Sequence, residues 1–153
     1  MKVYRLEHTQ VIAIDLETAW EFFSNPRNLE QITPPQLNFH IQTMVPECVY
    51  TGLLIGYRLR LPPGVPVTWW TEIKHVDPPH RFVDEQRAGP YRLWYHEHRF
   101  HAVEGGVEMT DIVHYALPFG LAGRLVHALV VGRQVRGIFA HRACVLAQRF
   151  GSA

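Results

Sequence analysis

His96, Glu97 and His98 place two imidazoles at i and i+2, the spacing that sends alternate side chains of a β-strand to one face. Asp84 precedes them and Asp111 follows, each separated from the pair by a turn-rich stretch. Imidazole beside carboxylate can do general acid–base work, orient a ligand oxygen or hold a metal ion. A zinc or iron site needs a third or fourth donor, which Asp84 or Asp111 supplies. The chain has neither HExxH nor a cysteine ligand set, and the expectation is no metal and no cofactor. A buried His and Asp also satisfy one another without further function, as buried polar groups must.

The pattern around these residues says which elements carry them. Residues 3–14, rich in Val, Ile, Tyr and Thr, read as an opening strand. Asp15 then N-caps a short helix, LETAWEFFS, with Leu16, Trp20 and Phe23 on its apolar face. Asn25 and Pro26 start a second short helix through Ile32, which Thr33-Pro34-Pro35 ends. Six strands in meander follow. Leu37, Phe39 and Ile41 alternate with polar residues in the first, and Leu53, Ile55, Tyr57, Leu59 and Leu61 line one side of the next. The link Pro62-Pro63-Gly64 sets Leu61 opposite Val65 and Tyr57 opposite Trp69, so Val67, Trp69 and Ile73 share a side. Asp77-Pro78-Pro79 turns into Arg81–Arg87, and Gly89-Pro90 into Arg92–Val103.

A two-residue turn in Glu104-Gly105-Gly106-Val107 pairs Glu104 with Val107. That register sets Phe100 opposite Asp111, with His98 as its diagonal neighbour, while the preceding hairpin sets Asp84 opposite His96. Two His–carboxylate pairs are therefore expected on one face. The same face carries Tyr57, Trp69, Phe82, Gln86, Trp94, Phe100, Met109 and Tyr115. Apolar and aromatic walls with a few convergent polar groups are the makeup of a small-molecule site.

From Pro118 to about Phe150 a single long helix is expected. Leu121, Leu125, Leu129, Gly132, Val135, Phe139, Ala143, Leu146 and Phe150 recur at steps of three or four. Arg136 lies only roughly 20° from Leu125 at 100° per residue, on the stripe side. There it would clamp a carboxylate or phosphate, or neutralise Asp84 or Asp111; alternatively Gly132 bends the helix and Arg136 snorkels outward. Gly132 and Arg136 interrupt the stripe where a cavity roof needs room and a charge. Arg124, Arg133, Arg142 and Arg149 fall on the flanks or outside. Val126, Val130, Ile138 and Val145 make the outer face apolar, which suits a homodimer or a protein partner.

A long helix with one apolar stripe needs a sheet to cover, which makes the fold class α+β, one domain over 1–153. An apolar fraction of 47% and a formal charge of +1 fit a globular chain and argue against disorder and against nucleic-acid binding. Cys48 and Cys144 lack CxxC spacing and are expected as buried free thiols. With no basic-then-apolar leader and no apolar run long enough to span a bilayer, a cytoplasmic, non-membrane-spanning protein is expected. GxSxG, a phosphate loop and a Cys–His arrangement are all missing, and a gripped cavity leaves little room for a sugar chain between Asp84 and Asp111.

The element order, with the stretches VDPPHRFVDEQRAGPYRLWYHEHRF and MTDIVHYALPFG, resembles the helix-grip START-like, polyketide-cyclase-like (SRPBCC) superfamily across essentially the whole chain. It is similar to a bacterial branch whose members are sometimes fused to nucleotide-sugar-epimerase-like domains. This chain lacks the glycine-rich dinucleotide fingerprint of such an enzyme. The resemblance implies a curved antiparallel sheet of about seven strands wrapped round the C-terminal helix, with a cavity between them. The function expected is binding of a small hydrophobic or aromatic ligand, a lipid or polyketide-like metabolite. One alternative is a cyclase, dehydratase or hydrolase using His96 or His98 as general acid–base, oriented by Asp84 or Asp111. The other is an interaction module with a filled cavity.

Overall fold

The computed structural model describes residues 1–153. The strands are β1 (Tyr4–Ile12), β2 (His40–Ile41), β3 (Leu54–Leu61), β4 (Val65–Asp77), β5 (Arg81–Ala88), β6 (Leu93–Val103) and β7 (Gly106–Ala116). They form one antiparallel sheet in the order β1-β7-β6-β5-β4-β3-β2. Between β1 and β2 lie helix α1 (Leu16–Phe23) and two 3₁₀ turns, Pro26–Ile32 and Pro35–Leu37. After β7 come α2 (Gly120–Val126), a π turn (His127–Val131) and α3 (Gly132–Phe150). The fold is α+β and helix-grip, with the curved sheet closed over the C-terminal helix.

Local signals act much as the sequence implies. Asp15 accepts from the Thr18 amide at 2.8 Å and so caps the helix N-terminus. Behind it α1 buries Ala19, Trp20, Phe22 and Phe23. Asn25 caps the next segment through the Arg27 amide at 3.1 Å, but that segment winds as 3₁₀ and not as an α-helix. The β3–β4 hairpin has Leu61 opposite Val65 and Tyr57 opposite Trp69, as expected.

Several expectations are corrected. The strand over Leu37–Ile41 shrinks to His40–Ile41, because Pro35 starts a 3₁₀ turn that Asn38 ends in the left-handed region. At the β6–β7 hairpin the turn residues are Glu104 and Gly105, with Val103 facing Gly106. Every pair is thereby displaced two residues from the expected register: Phe100 faces Met109, and His98 faces Asp111. Gly106 explains the choice, since a Cβ there would lie 2.0 Å from the Ile12 carbonyl oxygen. Its place against β1 is reserved for a residue without a side chain, so the positive φ falls to Gly105. Cys48 and Cys144 are free but exposed; Cys144 lies opposite Val135 on α3, roughly 180° away.

The helix departs most. Leu121, Leu125 and Leu129 are exposed, while Gly132, Val135, Phe139, Arg142 and Leu146 are buried. Each residue of a π turn sweeps less angle than in an α-helix. The run His127–Val131 therefore rotates the upstream leucines by roughly a quarter turn away from the buried face. Val126 and Val130 are exposed as expected, whereas Ile138 and Val145 are half-buried against the interior. No helix is long and apolar enough to cross a membrane.

The π turn also seats His127. Its ring stacks on Tyr4 with centroids 3.4 Å apart, and its Nε2 lies 2.8 Å from the Tyr115 hydroxyl. A Cβ at Gly132 would lie 3.0 Å from the His127 ring, so this glycine makes room for His127 and not for a cavity. Partial burial, then the charges of Lys2 and Arg136, hold the His127 imidazole below its ordinary value. A folded pKa below the unfolded one makes the contribution fully present above about 6.5 and lost as pH falls from there through the lower folded value. Titrated by NMR in the native protein, His127 should have its midpoint below about 6.5, and Arg136→Gln should raise it. A midpoint at or above that value would contradict this packing.

Candidate functional site

Three strands and one helix bring the polar groups together. Asp84 on β5 faces His96 on β6, and His98 two residues on faces Asp111 on β7. The close contacts nevertheless run diagonally. His96 Nε2 is 2.8 Å from Asp111 Oδ1, and His98 Nε2 is 2.6 Å from Asp84 Oδ2. The second ring nitrogens complete a closed ring: His96 Nδ1 is 3.3 Å from Asp84 Oδ2, and His98 Nδ1 is 3.2 Å from Asp111 Oδ1. The last contact is too poorly aligned to be a hydrogen bond and leaves His98 Nδ1 unpartnered. Glu97 points to the other side of the sheet, where Arg81 and Arg99 hold it.

Arg142 of α3 completes the cluster. It is 7% exposed, and its guanidinium approaches Asp111 Oδ1 at 3.7 Å. Aromatic rings wall the group in: Phe82 stacks on His98 at 4.2 Å, and Phe139 meets His96 edge-on at 5.4 Å. On the sequence pattern Arg142 falls on a flank, and Arg136 either clamps a charge in the cavity or turns outward; in the structure Arg142 is buried in the cluster and Arg136 is exposed. Val135, Phe139, Arg142 and Leu146 sit at i, i+4, i+7 and i+11, one helical face. Phased from Leu121, the apolar stripe takes in Val135, Phe139 and Leu146 but sets Arg142 on its flank.

Burial and charge set the protonation pattern. Burial raises the Asp111 pKa, but Arg142 and the two imidazoles outweigh it and hold the carboxyl well below its usual range. Asp84 is likewise lowered: its burial is overcome by His96, His98 and Arg142. Burial pushes both imidazoles down. His98 ends raised because its contacts with Asp111 and Asp84 prevail, whereas His96 ends lowered with the neighbouring His98 charge against it. With both carboxylates ionised and Arg142 cationic, one proton shared by the imidazole pair makes the cluster neutral.

A cavity of about 180 Å³ lies between the sheet, α3 and the Pro26–Ile32 turn, and 18 of its 27 lining residues are hydrophobic. Of the residues singled out by sequence, Tyr57, Trp69, Phe82, Asp84, Trp94, His96 and His98 line it. Burial, then the Asp84 charge, raises the Tyr57 hydroxyl pKa and keeps it protonated. The others stand back. Asp111 lies behind the imidazoles, and Phe100 is in the core against Trp20 and Phe23. Gln86 clamps the β5–β6 turn through the backbone of Tyr91 (2.7 and 3.1 Å), and Tyr115 turns to His127. Gly132 and Arg136 are also outside the lining. Pattern reading missed Gln134 and Arg142, both of which line the cavity and carry buried nitrogens, Gln134 Nε2 and Arg142 Nε, without a hydrogen-bond partner.

Solved structures share this architecture. A protein of Chromobacterium violaceum superposes with a TM-score of 0.72 at 13% identity, covering 100% of both chains. A START superfamily protein of Mycobacterium smegmatis gives a TM-score of 0.67 at 12% identity, over 94% of this chain and 97% of that one. A nucleoside-diphosphate sugar epimerase of Corynebacterium glutamicum gives 0.65 at 21% identity, over 94% of this chain but 28% of its own. No protein-family model matches the sequence, and no curated protein matches it. The chain has the helix-grip fold of START-like proteins.

Proposed function

We propose that the protein binds a small, largely apolar or aromatic molecule bearing one hydrogen-bond-accepting group, in the cavity between sheet and α3. The carrying observation is the lining: apolar walls, with two residues of α3, Gln134 and Arg142, that each carry a buried nitrogen without a partner. A buried donor without a partner costs about 1–3 kcal/mol, which an acceptor on the ligand recovers. Trp69, Phe82 and Trp94 supply aromatic wall. His96, His98 and Asp84 supply the polar side, and Asp111 fixes the imidazoles from behind.

The test uses 1-naphthoate, an aromatic ring with one carboxylate, titrated by calorimetry, alongside native mass spectrometry of the protein as purified. Saturable binding is expected, weakened about tenfold or more (about 1.4 kcal/mol) by Ile138→Trp, which fills the cavity from α3. Equal binding by wild type and Ile138→Trp would overturn the reading. A second reading, general acid–base catalysis by His98, has the 2.6 Å contact with Asp84 at the cavity wall in its favour.

A further inference from the structure

We infer that Asp84, His96 and His98 form a binding site for one divalent transition-metal cation of the zinc or ferrous class, open toward the cavity. One donor atom from each residue lies within 4.8 Å of the other two. Orientation says more than distance. His96 presents Nδ1 and His98 presents Nε2 to the same oxygen of Asp84, at 3.3 and 2.6 Å. Their opposite ring nitrogens lie beside one oxygen of Asp111, His96 Nε2 hydrogen-bonded at 2.8 Å and His98 Nδ1 close by at 3.2 Å. Metal-bound imidazoles use this division: one nitrogen on the ion, the other steered by an outer carboxylate.

Position agrees with orientation. Asp84, His96 and His98 line the cavity and Asp111 does not. Three protein donors with the remaining positions facing a cavity is the layout of a metal site that admits a further ligand. Two imidazoles and one carboxylate favour a borderline transition ion over magnesium or calcium, which prefer oxygen.

The fit requires little movement. Donors at about 2.0–2.2 Å from a tetrahedral ion stand roughly 3.3 Å apart. His96 Nδ1 and Asp84 Oδ2 already have that separation, 3.3 Å. The 2.6 Å contact of His98 with Asp84 must open by about 0.7 Å. The Asp84 side chain, 21% exposed against 7% for each imidazole, has the most freedom to move. Arg142 balances Asp111, so a dication faces one unbalanced carboxylate, and the excess positive charge favours an anionic group on any cavity ligand.

Untagged protein, stripped with a chelator and dialysed, is titrated with Co²⁺ alone and followed by its visible absorption; Zn²⁺ then competes. A single equivalent of Co²⁺ should bind and be displaced by Zn²⁺. His96→Ala and His98→Ala should each weaken binding by about a hundredfold, and Asp111→Asn by about ten- to a hundredfold. His101→Ala, on the same strand but exposed, should leave it unchanged. Asp84→Asn keeps the side-chain size while removing the coordinating charge; with its fold verified by near-ultraviolet circular dichroism, it too should bind far more weakly. No spectral change at one equivalent, or binding undiminished in folded His98→Ala or Asp84→Asn, would overturn the site. Because no organic ligand is used, failure here leaves the apolar-ligand reading standing.

Discussion

Arg142→Met is expected to destabilise the protein by about 3–5 kcal/mol, the cost of breaking a buried ion pair by deleting one partner. Methionine fills most of the space between Phe23 and Phe139, over whose rings the guanidinium lies at 5.6 and 6.0 Å. What is lost is the charge 3.7 Å from Asp111, whose side chain is only 7% exposed. Two carboxylates would then share the two imidazoles as their only cationic partners. Arg142→Met combined with Asp111→Asn should recover part of the loss, because no unpaired charge stays buried. Urea unfolding of the two single variants and the double variant gives the coupling directly. A cost below about 1 kcal/mol for Arg142→Met would mean that Asp111 does not depend on the arginine.

Phe139→Ala should cost a similar amount, about 3–5 kcal/mol, for an apolar reason. Phe139 is 4% exposed and packs with Val113, Tyr115 and Val135 while closing the cavity beside His96. Truncation leaves a void continuous with the cavity, so bound 1-naphthoate should compensate more of the loss in this variant than in wild type. Phe139→Leu should cost less than about 1.5 kcal/mol. If Phe139→Ala shifts the urea midpoint negligibly, α3 does not close the cavity at this point.

The two variants probe the stretch of chain that pattern reading served least well. Local pattern carries the α+β class, the element order, the cap at Asp15, and the registers of Tyr57 with Trp69 and Asp84 with His96, while the helix-grip class rests on the resemblance. These depend on alternation and turn chemistry, which are local. The π turn does not betray itself in local composition: Leu121 to Phe150 keeps a helical spacing throughout, and only tertiary contact shows that the phase changes at His127–Val131. Arg142 is hidden for a related reason: its charge signals solvent in the sequence, whereas in the fold Asp111 makes its burial tolerable. Gln134 carries no sequence signal at all; its role emerges only from an amide nitrogen left without a partner.

The displaced β6–β7 register has a different lesson. An error of one residue in a hairpin turns every side chain to the wrong face and is heavily penalised. An error of two keeps inside and outside intact, and hydrophobic burial barely distinguishes it from the correct pairing. In that slipped alignment Asp111 would sit opposite Phe100, carried about 7 Å along the strand from its present partner. The crossed contacts of His96 and His98 with Asp84 and Asp111 span β5, β6 and β7, and only one alignment of the three strands closes them. The cluster therefore acts as a proofreader for even-numbered slips, rejecting the misalignments that the apolar pattern would let pass.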